Sequence, residues 1–156
     1  MTDRSCSLLV AHGALLFLAG MAAGFPFAFE ILGAIELWPI RIEAEMPGDV
    51  RGWRMAHLEG ILNGLLLCVI GAVGARLRLS ARASAIVVWG LVVTGWGNVV
   101  ASWVGPLSET RGLAVSGFDW NTLVFALFFA AIVAVITAMW LVFRGAWAAA
   151  HSDSPD

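Results

Sequence analysis

The chain has 156 residues, of which 60% are hydrophobic and 13% charged, with a formal net charge of −2. Soluble domains carry about 25% charged residues, so this composition cannot clothe a water-facing globular surface. It also holds no basic patch for nucleic acid. An integral membrane protein is what remains.

A membrane span needs about 20 mostly apolar residues, and four runs qualify: Leu8–Phe25, Trp53–Gly74, Ala83–Val104 and Trp120–Phe143. Their continuity, without apolar–polar alternation, speaks against a β-barrel. The first run follows Arg4, as a signal peptide's core would. Phe25-Pro26-Phe27-Ala28 is a poor cleavage site, however, so a retained helix is expected. From Pro26 to Gly52, Glu30, Glu36, Glu43 and Glu45 are dispersed among Phe27, Phe29, Ile31, Leu32, Leu37, Trp38 and Ile40. That mixture predicts an interfacial or re-entrant segment, with Trp38 and Trp53 in the aromatic belt and a Pro47-Gly48-Asp49 turn into the second helix.

The next loop carries Arg76, Arg78 and Arg82, and the last, Gly105 to Asp119, carries Arg111. With Arg4 and Arg144 on the Arg76–Arg82 side, the arginines divide five against four, the four being Arg41, Arg51, Arg54 and Arg111. The density of the short Arg76–Arg82 loop points both termini to the cytoplasm. Residues 151–156 read as a frayed tail. The expected fold is therefore all-α: one four-helix transmembrane bundle over residues 1–150, with an interfacial segment between the first two helices.

The second span contains the most informative stretch, His57-Leu58-Glu59-Gly60-Ile61-Leu62-Asn63-Gly64. Ionisable groups in a span cost roughly 2.5–3.5 kcal/mol each on insertion scales, and so face a protein interior or a site. At about 100° per residue, Trp53, His57, Gly60, Gly64 and Cys68 share one stripe, while Glu59 and Asn63 share a different face. His57 reads either as an interfacial histidine bonded to a loop or as a metal or haem ligand. His12, in the first span, is either its companion or a buried hydrogen-bonding residue. Gly60-x-x-x-Gly64 and Gly20-x-x-x-Gly24 mark close helix packing or, beside a ligating histidine, a flat floor for a planar cofactor or aromatic substrate. Glu59 must be paired or protonated. Either Arg54 or an interhelical amide pairs it, or it serves as a general acid.

In the third span Thr94, Asn98 and Ser102 recur every four residues. Such a polar stripe either joins helices or lines a pocket opposite Glu59 and His57. The fourth span has no ionisable group between Asp119 and Arg144 and reads as scaffold. Cys6 and Cys68 read as small buried apolar residues. There is no phosphate loop, Cys-x-x-Cys pair or nucleophile elbow.

Residues His57 to Gly64 resemble the His-x-Glu-Gly-x-x-Asn-Gly signature of bacterial hydroxylaminobenzene mutases. Trp120-Asn-Thr-Leu-Val-Phe and Leu141-Val-Phe-Arg-Gly resemble that family's last helix. A second resemblance, to styrene oxide isomerases, runs in the same order along most of the chain. It rests on Ala11-His-Gly, Ile35-Glu-Leu-Trp-Pro, Pro47-Gly, Gly52-Trp, Ala56-His57, Asn63-Gly64, Gly95-Trp-Gly-Asn98 and Arg111-Gly-Leu. Both families read as branches of one superfamily.

The resemblance implies haem b, homotrimeric assembly with the haem near subunit interfaces, His57 as the axial iron ligand and Asn63 in the substrate pocket. In those isomerases the iron serves as a Lewis acid, and an epoxide becomes an aldehyde by a hydride shift. This chain departs from the pattern: it has no tyrosine. Ser102 and Thr94 stand where the isomerases have a tyrosine and an aspartate, and Glu59 stands where they tend to have a small residue.

The lost phenol and gained acid point first to mutase chemistry, an N-aryl hydroxylamine becoming an aminophenol, with aryl epoxide isomerisation as the alternative. A non-catalytic haem b sensor or electron carrier, which needs a second axial histidine, and a scaffold subunit are the readings from other classes. The expected site has His57 as metal ligand, Gly60, Gly64 and Trp53 around the cofactor, and Glu59, Asn63 and Asn98 as catalytic side chains. It would act on a small hydrophobic aromatic substrate within the lipid bilayer of a bacterial inner membrane.

Overall fold

The structure, a computed structural model, describes residues 1–151; the expected tail from residue 152 on lies outside the described residues. Four helices are each long and apolar enough to cross a membrane, and the chain is a multi-pass membrane protein. Helix α1 spans Asp3–Leu32, α2 Val50–Val73, α3 Ala81–Leu107 and α4 Trp120–Ala150.

Each helix starts on a side chain that accepts an otherwise unpaired backbone N–H. Thr2 accepts from Ser5, Asp49 from Gly52, Ser80 from Ala83 and Asp119 from Thr122. Three of the expected spans fall inside these helices and the second, Trp53–Gly74, ends one residue past α2, in a short 3-10 turn over Gly74–Arg76; most of the helices run further than expected. α1 continues past Pro26 to Gly33, whose left-handed backbone (φ 70°) stops it while its N–H donates to the Phe29 carbonyl. A proline removes one donor but not the apolar face on either side of it, so the expected end at Phe25 falls short.

The segment expected to be interfacial contains a small two-stranded antiparallel sheet, β1 (Ala34–Leu37) and β2 (Ile40–Glu43). Glu36 pairs with Arg41 across it, and the Arg41 guanidinium meets Glu36 at 3.1 Å and Glu43 at 2.8 Å. Trp38 stands at its tip, 97% exposed.

Helices α1 and α2 pack backbone to backbone through their glycines. A Cβ on Gly20 would stand 2.6 Å from the Ile61 nitrogen, and one on Gly64 would stand 2.7 Å from the Gly13 carbonyl oxygen. The main core fills the adjoining space with Leu9, Leu16, Leu67, Val87 and Leu91, all fully buried. A second cluster gathers Ala23, Trp53 and Ala56 under Trp103. α4 lies on α3, where the Thr94 hydroxyl donates to Gly90 of its own helix and to the Ala131 carbonyl of α4. Outward-facing Leu18, Phe25, Leu62, Phe129, Ile136 and Trp140 are exposed and form the lipid-facing surface. In lipid such a surface carries no hydrophobic penalty.

Candidate functional site

His57 sits on the side of α2 that meets α1. Its Nδ1 lies 2.9 Å from the carbonyl oxygen of Gly20. A carbonyl can only accept, so in the neutral ring Nδ1 carries the proton and Nε2 is left with a free lone pair. The ring is seated because Gly24 has no side chain: a Cβ there would come within 3.1 Å of Nδ1. Phe27 flanks it, with ring centroids 6.0 Å apart. A backbone carbonyl on one imidazole nitrogen, with the other nitrogen basic and half-buried, is how metal-binding histidines are oriented.

His12 is set the opposite way. The Trp96 indole N–H, which can only donate, points to His12 Nδ1 at 3.0 Å. The proton of His12 therefore sits on Nε2, and this ring offers a donor rather than a lone pair. His12 faces α3 through Trp96, so the structure does not bring the two histidines together.

Glu59 and Asn63 occupy a different face of α2, as the helical phase predicts. The Asn63 amide donates to the Glu59 carboxylate at 2.8 Å and to the Glu59 backbone carbonyl at 2.9 Å. Asn98, from α3, donates to the Asn63 side-chain oxygen at 3.4 Å. The partner of Glu59 is thus an amide on its own helix, and Arg54 makes no ion pair among the described residues.

Glu59 and Asn98 line a cavity of 770 Å³ between α2, α3 and α4. Val124, Phe128 and Ile132 of α4 form its apolar wall, and Arg111 lies at the end closed by the α3–α4 loop. That loop is tied to α4 by Asn121, which accepts from the Gly112 N–H at 2.8 Å and donates to the Ala114 carbonyl. Of the polar stripe on α3, Asn98 and Ser102 line the cavity while Thr94 holds α4.

Three expected cofactor contacts take other places. Gly60 and Gly64 do not form an open floor beside His57; α1 fills that space, with a Cβ on Gly64 set 2.7 Å from the Phe17 nitrogen and one on Gly60 driven into Gly20. Trp53 is 2% exposed, stacks edge-on against Trp103 and donates from its indole to the Pro47 carbonyl at 2.8 Å. It is a core residue anchoring the chain before α2 rather than a belt residue. Conversely, Gly20, Gly24 and Phe27 do surround His57; the sequence offered the two glycines as packing or as a cofactor floor, and Phe27 only as an interfacial residue. Their spacing shows a small-residue face, but which side chain enters it depends on the α1–α2 register.

Among the described residues no group of three or more His, Cys, Asp and Glu converges to hold a metal. A haem, which brings four ring nitrogens of its own, asks the protein for as little as one axial side chain, and the orientation of the half-buried His57 fits that demand.

The sequence model of the family described as "Styrene oxide isomerase" matches residues 5–147. A styrene-oxide isomerase of Pseudomonas fluorescens is 26% identical over 106 residues, 67% of this chain and 63% of that relative's length. With nearly its whole length matched, from the first turn of α1 to the last turn of α4, the chain belongs to the styrene oxide isomerase family.

Proposed function

We propose that the chain is a haem-dependent membrane isomerase that rearranges a small aromatic substrate, foremost an aryl epoxide to an aldehyde. Family membership and the named activity of the bacterial relative support the reaction class. The observation that carries the cofactor is the His57–Gly20 hydrogen bond, which leaves Nε2 basic. When bound, haem would supply Lewis-acidic iron at His57.

The chain's own residues supply the rest. The apolar wall of Val124, Phe128 and Ile132 suits an aromatic ring. Asn98, steadied by Asn63, is placed to orient the substrate oxygen. The rearrangement needs no co-reactant. The benzylic C–O bond opens, the oxygen stays on the terminal carbon, and a hydride moves from that carbon to the benzylic one. Exclusion of water by the bound substrate and the apolar wall would keep the opened form from being trapped as a diol.

His57 and the cavity lie on different sides of α2, so one chain alone does not complete this arrangement. A homotrimer, the assembly implied by the family resemblance, is proposed to bring the His57 face of one chain against its neighbour.

Glu59 favours a second reading, aminophenol formation from an N-aryl hydroxylamine. There the N–O bond breaks, oxygen bonds to a ring carbon, that carbon loses a proton and nitrogen gains one. Glu59, on the cavity wall and held by Asn63, is placed to deliver the proton that weakens the N–O bond. An electron carrier with two axial histidines has no such support, because His12 is turned to Trp96.

Membranes containing the protein, fed styrene oxide and phenylhydroxylamine separately, decide between the readings. Phenylacetaldehyde is the expected product, aminophenol alone would select the second reading, and neither product would reject both.

A further inference from the structure

We propose that the cavity between the first turns of α3 and the last turns of α4 binds the phosphate headgroup of an anionic phospholipid. This cavity, of 430 Å³, is separate from the one at Glu59 and is lined by Arg78, Arg82 and Arg144. The three arginines come from the α2–α3 loop, the start of α3 and the end of α4, and the fold gathers them. The Arg78 N–H donates to the Gly145 carbonyl at 3.2 Å. A Cβ at Gly145 would stand 2.7 Å from Leu79 Cδ2 and 3.4 Å from the Arg78 carbonyl oxygen, so the loop lies close against α4.

Charge at this end of the bundle is one-sided. Arg4 and Arg76 lie there as well, while Asp3 is the sole carboxylate at this end among the described residues. Glu30, Glu36, Glu43, Glu45, Asp49, Glu109 and Asp119 all belong to the opposite end. Both ion pairs among the described residues belong to Arg41 in the hairpin, so among the described residues no carboxylate pairs with Arg78, Arg82 or Arg144.

The rest of the cavity wall includes Ile86 and Leu141, with Ile86 facing lipid at 39% exposure. Guanidinium groups bind phosphate oxygens in pairs, and basic pockets between membrane helices hold anionic headgroups. The apolar flank distinguishes a lipid from a free anion, because it gives the acyl chains a surface continuous with the headgroup site.

The test is native mass spectrometry of the full chain, delipidated in detergent and offered phosphatidylglycerol or phosphatidylcholine of matched acyl chains. Retention of phosphatidylglycerol about tenfold or more above phosphatidylcholine is expected, falling by about the same factor in R78Q/R82Q/R144Q. The charge-keeping R78K/R82K/R144K variant should lie between, since lysine lacks the paired geometry. Equal retention of the two lipids, or a triple Gln variant that matches the parent, would overturn the proposal. So would displacement of phosphatidylglycerol by an equal concentration of inorganic phosphate, which assigns the arginines to a free anion. Should the Gln variant not fold, the lipid preference of the parent chain and the Lys variant decide the question.

Discussion

At residue scale, two histidines of the same chain are set in opposite tautomers by what each Nδ1 meets. His57 meets a carbonyl and keeps a lone pair on Nε2, whereas His12 meets an indole N–H and keeps a proton there. Sequence could nominate both rings but not distinguish them, because Gly20 and Trp96 lie 37 and 84 positions away along the chain. Gly24→Ala tests the setting of His57, since the added methyl would press on Nδ1. Haem affinity of that variant, measured by optical titration, should fall about 10–100-fold, the usual effect of disturbing a ligand's supporting contact. Unchanged affinity would mean that the setting of the ring does not depend on the missing side chain at Gly24. At the cavity, Glu59→Gln keeps the shape and the Asn63 contact but removes the acid. It should lower aminophenol formation by about 100-fold or more and leave aldehyde formation within a few-fold. Equal losses in both assays would show that Glu59 serves structure rather than proton delivery.

At the scale of elements, the glycine pairs acquire a definite job. Helical phase placed Gly60 and Gly64 beside His57 on one stripe, but only the partner helix shows that α1 occupies that stripe. Gly60→Ala should therefore destabilise the bundle by about 1–3 kcal/mol, the usual cost of overpacking, read as a lower melting temperature in detergent. An unchanged melting temperature would contradict the close α1–α2 contact.

The start of α4 carries a pH dependence of its own. The Thr122 N–H and the Ser116 hydroxyl hold the Asp119 carboxyl below its ordinary range. A lowered carboxylate stabilises the fold above its unfolded pKa, and that contribution is lost as pH falls through the folded value. The protection factors of amides in the first turn of α4, exchange corrected for its intrinsic pH dependence, should thus fall as pH drops below the ordinary carboxylate range, and Asp119→Ala should remove that step. The hairpin was the element least legible beforehand. Ile35, Leu37, Ile40 and Ile42 alternate with Glu36, Arg41 and Glu43, but each run is four residues long, too short to outweigh the interfacial look of its surroundings.

For the whole molecule, four long apolar runs and few charges suffice to predict a membrane bundle, because a bilayer leaves the backbone few other choices. The opposing faces of α2 were also legible, since helical phase alone turns Glu59 away from His57. The cavity was not, because it needs α4 set against α3 and the α3–α4 loop folded across one end. Two sides of one helix thus carry a proposed cofactor ligand and a proposed substrate wall, and the proposed trimer is what makes one site of them. Mixing His57→Ala chains with Asn98→Ala chains should then restore part of the activity that each lacks alone, whereas a site complete within one chain would give no rescue.

The central claim is an intramolecular rearrangement, and isotope retention tests it most directly. The purified, haem-loaded protein should convert styrene oxide carrying deuterium on its terminal carbon to phenylacetaldehyde that keeps all the deuterium, one atom having moved to the neighbouring carbon. Hydrogen from water in that position, or no aldehyde at all, would contradict the account.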